Sequence, residues 1–360
     1  MNEEIDKLNP NKIEKSFINV QIVEIMIIKK YLMFLILFIY IFILIGILIY
    51  KFCIKKELEY EEFNDKINEK YIQLQNHFCE KENENINQTY DDKLIIANAS
   101  LNGTNFNMYV YKKNDIVSNN IIKLHYWEKN HTMKILKAMQ YYAQKKNLEN
   151  KDIYLLDIGA NVGWFTYFIG KYGFKIISFE ASKINGYILY KNYCLNKDVK
   201  VTLINKGLDT EDKKCKLQIA RNNNGNGMIM CENRDKSYID FNGEIFNDIE
   251  LTKLSKYIKF LSEQNLAFMK IDVEGAEGTI IKGGKEIISE YHIPFIAMEY
   301  NKKMIESHGV NATEFLLFIE NNGYKFSLID FFSQQYISAL ELTKKHNILN
   351  LFIVHEKILE

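Results

Sequence analysis

This chain of 360 residues has only two prolines and five cysteines, and it has no excess of charge of either sign. Its 46 basic and 46 acidic side chains cancel, which argues against a dedicated nucleic-acid-binding protein, because such proteins carry a basic surplus or stripe. We therefore expect no nucleic-acid partner. The two prolines, beside abundant Asn, Ile and Lys, indicate a codon bias rather than a function. With 47% hydrophobic and 26% charged residues, a chain of this length can build one large domain with an appendage, or at most two modest domains.

The five cysteines form no C-x-x-C pair and no zinc-like spacing with histidine, which argues against a metal site built on thiolates. An odd and sparse set of this kind is typical of free buried thiols. Cys215 and Cys231 would nevertheless be able to pair in an oxidising compartment. Cys53 lies just past an apolar run, where S-acylation is conceivable, but it is interpreted as an ordinary residue.

An uncharged apolar run, Tyr31–Tyr50, predicts a membrane-spanning helix. At about 1.5 Å per residue it covers roughly 30 Å, the hydrocarbon thickness of a bilayer. Tyrosines at both ends suit the membrane interface, and lysines flank both sides. The run is too long and starts too late for a cleavable signal peptide. We therefore predict a tail over residues 1–30 and a transmembrane helix over 31–52.

The orientation of this helix is predicted from weaker signals, because the flanking lysines nearly balance. We expect a single-pass type II protein whose catalytic part lies in the lumen of the endoplasmic reticulum or Golgi. The number of N-x-[ST] sequons is mildly above that expected by chance, which favours a luminal catalytic part. The sequons begin at Asn87, Asn98, Asn102, Asn130 and Asn311.

A charged segment, Lys55–Gln88, follows the span and carries an apolar stripe at helical spacing (Phe63, Ile67, Tyr71, Leu74, Phe78). Two interpretations stay open. A short coiled-coil stem would allow an oligomer to form, whereas a helix packed on its own catalytic domain would not need a partner chain. The Asn-rich stretch Asn83–Asn107 is interpreted as a linker. The predicted domains are thus a stem and linker over 53–105 and a catalytic domain over 106–360.

From residue 152 short apolar runs alternate with helical stretches. This pattern predicts an α/β fold with a Rossmann-like doubly wound sheet of about seven strands. The last two strands lack a clear helix between them and predict an antiparallel closing hairpin. The predicted strands are 106–111, 153–158, 175–179, 200–204, 267–271, 294–299, 324–329 and 349–355, and the predicted helices are 164–172, 184–196, 277–291 and 311–322.

The strand at 153–158 leads into a glycine-rich turn, Asp157-Ile-Gly159-Ala-Asn161-Val-Gly163. Glycines at such a turn let the backbone approach a ligand closely. A dinucleotide site would have G-x-G-x-x-G and hold a pyrophosphate at the helix N-terminus. This turn instead has G-x-N-x-G, with an acid two residues before the first glycine. An acid there suits a cationic ligand such as S-adenosylmethionine, which carries an ammonium and a sulfonium group.

Two further strand ends carry acids. Glu180 ends the next strand, about twenty residues after the glycines, where a carboxylate can accept both ribose hydroxyls of an adenosine. NAD enzymes share this device, so Glu180 supports an adenosyl cofactor without deciding which one. A later strand continues as Lys270-Ile-Asp272-Val-Glu274-Gly-Ala-Glu277. Three acids and a lysine therefore meet at the carboxyl edge of the sheet, where open α/β folds bind ligands.

Together these motifs resemble the FkbM family of S-adenosylmethionine-dependent methyltransferases. The resemblance covers about residues 106–301, and Lys270–Glu277 is its specific part. Further segments that resemble the family are Asp115–Glu128, Asp157–Phe165, Phe179–Glu180, Asn205–Leu208 and Lys282–Gly284. One departure is the insert Asn222–Gln264, rich in Asn, Gly and charge, which we expect to form part of the acceptor site.

The resemblance implies an O-methyl transfer from S-adenosylmethionine to a hydroxyl acceptor. A luminal location suggests a glycan or another small molecule as that acceptor, on topology and family analogy alone. The resemblance assigns the cofactor to Asp157, Gly159, Asn161, Gly163 and Glu180, with Asp272 near the reacting methyl group.

Asp272, Glu274 and Glu299 are the candidate catalytic bases, because methyl transfer needs an aligned nucleophile that loses its proton. Asp272, Glu299 and Asn301 also resemble, in their positions, the metal ligands of catechol-type methyltransferases. Bound Mg²⁺ would then activate the hydroxyl as a Lewis acid. This stays a hypothesis, and no metal is expected.

Two other functions are weighed. An NAD-linked oxidoreductase shares the glycine turn and Glu180, but Asn161 stands where its second glycine is needed. A membrane scaffold that has lost its chemistry would keep the fold, yet the acids of both strand-end motifs are intact.

Overall fold

The structure is a computed structural model that describes residues 10–83, 90–220, 222–231, 243–345 and 348–360. The chain divides into two units, residues 1–63 and residues 64–360. The first unit contains the stretch Lys29–Lys51, the one stretch in the described residues that is long and apolar enough to cross a membrane. Such length and composition fit a membrane anchor and equally a signal sequence.

The strands, in chain order, are β1 (Leu94–Leu101), β2 (Thr104–Tyr111), β3 (Ile153–Ile158), β4 (Lys175–Phe179), β5 (Val201–Ile204), β6 (Gly207–Asp209), β7 (Lys213–Ala220), β8 (Asn223–Met230), β9 (Gly243–Lys253), β10 (Asn265–Ile271), β11 (Phe295–Tyr300), β12 (Tyr324–Ser327) and β13 (Leu349–His355). The helices are α1 (Pro10–Asn83), α2 (Ile116–Leu124), α3 (Lys129–Lys146), α4 (Trp164–Gly170), α5 (Lys183–Leu195), α6 (Ile258–Ser262), α7 (Glu277–Lys282), α8 (Glu286–Ser289), α9 (Lys302–Ser307), α10 (Ala312–Asn321), α11 (Ala339–Leu342) and α12 (Glu356–Leu359).

The main sheet has seven strands in the order β12-β13-β11-β10-β3-β4-β5. The five strands from β11 to β5 are parallel, and β13 runs antiparallel between β11 and β12. The predicted seven-stranded sheet with an antiparallel closing pair is confirmed. Because parallel strands end at one edge, the turns after β3, β4 and β10 lie side by side.

The core lies on both faces of this sheet, because successive residues of a strand point to opposite sides. In β3, Leu155 belongs to the buried cluster on one face and Leu156 to the cluster on the other. Helices α3, α4 and α5 contribute to the first cluster, and α6, α7, α8 and α10 contribute to the second. Coverage on both faces explains why these strands have nearly continuous apolar sequences.

The single helix predicted over 277–291 is wrong, since the chain forms α7 and α8 with Gly283 and Gly284 between them. A Cβ on Gly283 would lie 2.3 Å from the carbonyl oxygen of Asp209 in β6. This close approach to a neighbouring strand requires glycine, and two consecutive glycines weaken a helix.

The insert 222–264 contains parts of a second sheet that the sequence did not predict. Its strand order is β6-β9-β7-β8, and a small core of five buried residues holds it together (Cys215, Leu217, Ile219, Ile249, Leu251). Residues 232–242 of the insert lie outside the described residues. A disulfide joins Cys215 to Cys231, and a second one joins Cys79 to Cys194. The expectation of free thiols is therefore wrong for these four cysteines.

The C-terminal part of α1 packs on its own catalytic domain, one of the two interpretations left open above. Tyr71, Gln75 and Cys79 are buried, and the ring of Phe78 stacks on Tyr190. Leu74 of the predicted stripe is instead exposed, whereas the polar Gln75 next to it lies on the face that packs on the domain. The apolar stripe therefore did not define the packed face fully.

The interpretation of residues 83–107 as a linker is wrong for 94–101, since these residues form β1 and pair antiparallel with β2. Their buried positions include Leu94, Ala97, Ala99 and Leu101, while the asparagine at 98 is exposed. The strand alternates buried and exposed residues from Ala97 to Ala99, but its small and polar residues did not indicate a strand in the sequence. Residues 84–89, with the sequon at Asn87, lie outside the described residues.

Candidate active site

The turn after β3 is held in left-handed backbone conformations. Gly159, Asn161 and Gly163 have φ values of 79°, 53° and 94°. A Cβ on Gly159 would lie 2.0 Å from the carbonyl oxygen of Asp272. The turn after β3 therefore contacts the backbone after β10 directly, and this contact requires glycine at position 159.

Glu180 follows β4, and its side chain is buried. Its carboxylate accepts hydrogen bonds from the backbone N–H of Asn161 and of Ser182, both at 2.8 Å. Burial raises the pKa of Glu180 to about 7, although these hydrogen bonds act in the opposite direction. The end of β4 is thus tied to the glycine turn through Glu180.

Asp157 lies near the end of β3, beside Lys270 of the neighbouring strand β10. It is fully buried, accepts a hydrogen bond from the hydroxyl of Thr166 at 2.6 Å, and has its Oδ1 3.9 Å from Lys270 Nζ. Burial raises the pKa of Asp157, and Lys270 opposes that effect. The same Lys270 Nζ lies 3.3 Å from Asp272 Oδ2 and donates to the carbonyl oxygen of Gly159 at 3.2 Å.

Asp272, Glu274 and Glu299 form a cluster in which one carboxylate oxygen of each lies within 4.8 Å of the others. Burial, and then repulsion from Asp272, raise the pKa of Glu274 to about 7 and that of Glu299 to about 8. Three oxygens at this spacing would suit a hard cation such as Mg²⁺. Asn301 does not line the cavity and instead caps α9 by accepting the N–H of Met304 at 3.3 Å.

One cavity of about 230 Å³ unites most of the predicted site residues. Gly159, Asn161, Glu180, Asp272, Glu274 and Glu299 line it. Asp157 and Gly163 do not line it. Asp157 is fully buried beside Lys270, and Gly163 packs against α5, where a Cβ would lie 2.8 Å from Leu189.

The charges of this cavity favour a cationic ligand. The acids that line it are Glu128, Glu180, Asp272, Glu274 and Glu299, and the lysines are Lys206 and Lys270. Both lysines already contact carboxylates, Lys206 at 2.8 Å from Glu250 and Lys270 at 3.3 Å from Asp272. A pyrophosphate would therefore find no free lysine among these lining residues, whereas an ammonium or sulfonium group would find carboxylates. Apolar side chains for an adenine ring come from Phe179, Leu208 and Ile280.

Sequence reasoning missed two segments of the cavity wall, Ile116–Val117 at the start of α2 and Trp127–Glu128 before α3. A third part of the wall comes from Asn223, Asn224, Gly225, Gly227 and Ile229 of β8, inside the insert that was expected to form part of the acceptor site. The first two lay inside the segment that resembled the FkbM family, and this was the available signal. The left-handed φ of 37° at Glu128 was not readable from sequence.

The sheet order and the acid-lined cavity at its carboxyl edge define a methyltransferase-like α/β domain. The bifunctional kinase-methyltransferase WbdD is similar to this chain in fold, with 11% identity, a TM-score of 0.37, and coverage of 63% of this chain and 39% of that one. The T. thermophilus 16S rRNA N2 G1207 methyltransferase, solved with AdoMet and guanosine, is 10% identical over 73% of this chain and 51% of its own, with a TM-score of 0.33. At such scores neither structure bears on the function of this chain.

Residues 157–326 match the family model described as the methyltransferase FkbM domain. This match spans the glycine turn, Glu180 and Lys270–Glu277, the motifs that carried the predicted resemblance. Methyltransferase sdnD of Sordaria araneosa is 28% identical over an alignment of 157 residues, and the alignment covers 37% of this chain and 61% of that protein. The chain thus matches about three fifths of the length of this curated relative. The family match also favours methyl transfer over the NAD-linked alternative.

Proposed function

We propose that this protein transfers the methyl group of S-adenosylmethionine to a hydroxyl oxygen of a glycan or another small acceptor. The observation that carries the proposal is the single cavity that Gly159, Asn161, Glu180 and Asp272 share within an FkbM domain. Its carboxylates and apolar wall suit a cationic adenosyl compound.

S-Adenosylmethionine, when bound, would supply a methyl group on a positively charged sulfur. The buried carboxylate of Glu180 would accept the ribose hydroxyls, and Phe179 and Leu208 would flank the adenine. Asp272, held by Lys270, would face the cationic end of the cofactor. Asp157 and Gly163 would act indirectly, Asp157 through Lys270 and Gly163 through the packing of the turn on α5.

Glu299 and Glu274 are the groups proposed to remove the acceptor's proton. The acceptor oxygen would take the methyl group as the sulfur–methyl bond breaks, the cofactor would leave as a neutral thioether, and the hydroxyl proton would pass to one of these carboxylates. A base with a pKa near the working pH is effective because it is partly deprotonated and still basic. The raised pKa values of Glu274 and Glu299, about 7 and about 8, meet this requirement. This step needs no metal, so we expect full activity to persist after exhaustive chelation.

The test is incubation of the full chain, purified in detergent, with S-adenosylmethionine labelled in its methyl group and with fractionated glycans, lipids and small molecules. We expect label in a hydroxyl-bearing fraction, and loss of that label in Glu180→Gln. Asp198→Asn, at an exposed ion pair with Lys171, is the matched control. Cofactor binding without transfer to any fraction would favour the inactive scaffold, and absence of binding would remove the proposal altogether.

We also propose that residues 31–50 anchor the protein in a membrane with the catalytic domain in the lumen. Two disulfides support this orientation, because such bonds persist in oxidising compartments. The sequon residues Asn98, Asn102, Asn130 and Asn311 are exposed, as acceptance of a glycan requires. A luminal site would bring the enzyme into contact with glycans, which is the basis for the proposed acceptor.

A further inference from the structure

The hairpin β7–β8 forms one wall of the cofactor cavity. Leu217 of β7 lines the cavity, together with Asn223, Asn224, Gly225 and Gly227 of β8. We call residues 223–227 the hairpin tip. It belongs to the second sheet, so this wall is separate from the seven-stranded sheet, whose strand ends lead into Gly159, Glu180 and Asp272.

Hydrogen bonds hold the hairpin tip against the segment before α2. The N–H of Gly225 donates to Asp115 Oδ1 at 2.8 Å, and the N–H of Asn224 donates to the carbonyl oxygen of Asn114 at 2.6 Å. Asp115 is fully buried, and its other oxygen accepts the N–H of Ser118 at 2.8 Å. One carboxylate thus caps α2 and holds the hairpin tip at the same time.

Asn161 links the hairpin tip to the proposed ribose site. Its Nδ2 donates to the carbonyl oxygen of Gly225 at 3.2 Å, and its backbone N–H donates to Glu180 Oε2 at 2.8 Å. Its Oδ1 accepts the N–H of Val162 at 2.7 Å. A displacement of the hairpin tip would therefore disturb the residue that orients Glu180.

Gly225 is needed at the hairpin tip for space alone. A Cβ there would lie 2.5 Å from Asp115 Oδ1 and 2.8 Å from Asn161 Oδ1. Its backbone is not left-handed, so no conformational demand accounts for the glycine. The close approach of three chain segments at this point accounts for it instead.

The base of the hairpin is closed by the Cys215–Cys231 disulfide. Cys215 lies in β7 beside Lys216, which pairs with Met230 at the end of β8. The hairpin is thus fixed at its base by a covalent bond and at its tip by hydrogen bonds to Asp115 and Asn161.

We infer that the hairpin tip is a strap that retains the bound cofactor, and that Asp115 is its positioning residue. The inference rests on the proposed function, since it takes S-adenosylmethionine to be the occupant of the cavity. Release of the cofactor requires the strap to leave Asp115, and the disulfide limits how far the hairpin moves. Loss of either restraint therefore speeds cofactor release.

The experiment measures release of tritiated S-adenosylmethionine from the full chain in detergent after a chase with unlabelled cofactor. Asp115→Asn keeps an oxygen that can cap Ser118 but turns an amide NH₂ toward the N–H of Gly225. We expect release at least about tenfold faster in Asp115→Asn and in Gly225→Ala, equal to about 1.4 kcal/mol at the barrier. Ser338→Ala, which removes the cap of α11 outside the cavity wall, should release the cofactor at the wild-type rate.

The two disulfides provide a matched pair of variants. The Cys215→Ser/Cys231→Ser variant should release the cofactor faster, whereas Cys79→Ser/Cys194→Ser should not, although both lose one disulfide. Wild-type release from Asp115→Asn and from the Cys215→Ser/Cys231→Ser variant would overturn the inference. Should Asp115→Asn fail to fold, the rate of cofactor release from Gly225→Ala decides instead: faster release supports the inference, and release at the wild-type rate overturns it. If the wild type binds no cofactor, the proposed function fails instead, and the two failures are distinguishable.

Discussion

At the scale of single residues, Lys270 organises the candidate site. Asp157 and Lys270 face each other across the parallel pair β3–β10, and Lys270 Nζ also contacts Asp272 and lies 5.0 Å from the ring centre of Phe165. Burial alone would lower the pKa of Lys270, but Asp272 and Asp157 raise it above its usual value. The lysine therefore stays charged and compensates a buried carboxylate.

We expect Lys270→Met to destabilise the protein strongly, because it leaves Asp157 buried without a compensating charge. Removal of one partner of a buried ion pair costs about 3–5 kcal/mol in general. Urea denaturation with intrinsic fluorescence would measure the change in the free energy of unfolding. Lys171→Met is the control, since Lys171 pairs with the largely exposed Asp198 and such surface pairs contribute about 0–1 kcal/mol. Equal effects of the two substitutions would contradict the role given to Lys270.

The raised pKa values of Glu274 and Glu299 predict how activity depends on pH. A general base acts in its deprotonated form, so the rate of methyl transfer should rise with pH through about 7 to 8, the pKa values of Glu274 and Glu299. The profile of kcat against pH, taken with saturating acceptor, would measure this. Glu299→Gln should lower kcat by at least about a hundredfold, the size of a typical general-base contribution.

The control for this pH profile is Glu306→Gln, at an acid of α9 that does not line the cavity. It should keep both the rate and the profile. A Glu299→Gln variant with an unchanged profile would exclude Glu299 as the base and leave Glu274 to be tested in the same way.

At the scale of secondary-structure elements, the end of α1 completes the edge of the main sheet. Gln75 donates to the carbonyl oxygen of Val201 at 3.0 Å and accepts the N–H of Leu203 at 2.9 Å. An exposed sheet edge is a template for aggregation, and here a helix side chain occupies two of the backbone groups of β5. The unit that contains the catalytic domain accordingly begins at residue 64.

Gln75→Ala should lower the free energy of unfolding by about 2 kcal/mol, since it leaves two buried backbone groups of β5 without partners. Thermal or urea unfolding of the full chain in detergent measures this change. Gln73→Ala is a matched control, because Gln73 lies on the exposed face of the same helix. A loss of stability no greater than that of the control would show that water replaces Gln75 at no cost.

Individual elements differed in how far the sequence predicted them. Strand β3 was predicted with its bounds because IYLLDI is apolar on both faces, as a central parallel strand must be. Strand β8 has the sequence NNGNGMIM, in which Asn and Gly hide the strand pattern. Its pairing depends on β7 and on the buried residues of the small sheet, which are contacts that no local pattern encodes.

At the scale of the whole molecule, the candidate site was partly predictable because parallel strands end at one edge. That rule alone brought Gly159, Glu180 and Asp272 together before the structure was known. It did not predict that Asp157 would be buried beside Lys270 and not line the cavity, since the direction of a side chain depends on strand register. It also did not predict the wall formed by the hairpin tip, because this wall arises from contacts between separate sheets.

The two disulfides and the apolar stretch Lys29–Lys51 together predict the compartment of the catalytic domain. If that domain folds in the lumen, Cys79, Cys194, Cys215 and Cys231 should all resist alkylation in denatured membranes until a reductant is added. Mass spectrometry of peptides from the full chain, alkylated before and after reduction, would measure this, and the reduced sample is the positive control. Alkylation of all four cysteines without reductant would place the domain on the reducing, cytosolic side. In that case the luminal glycan acceptor would have to be abandoned, while the cofactor site, which depends on neither disulfide for its carboxylates, would stand.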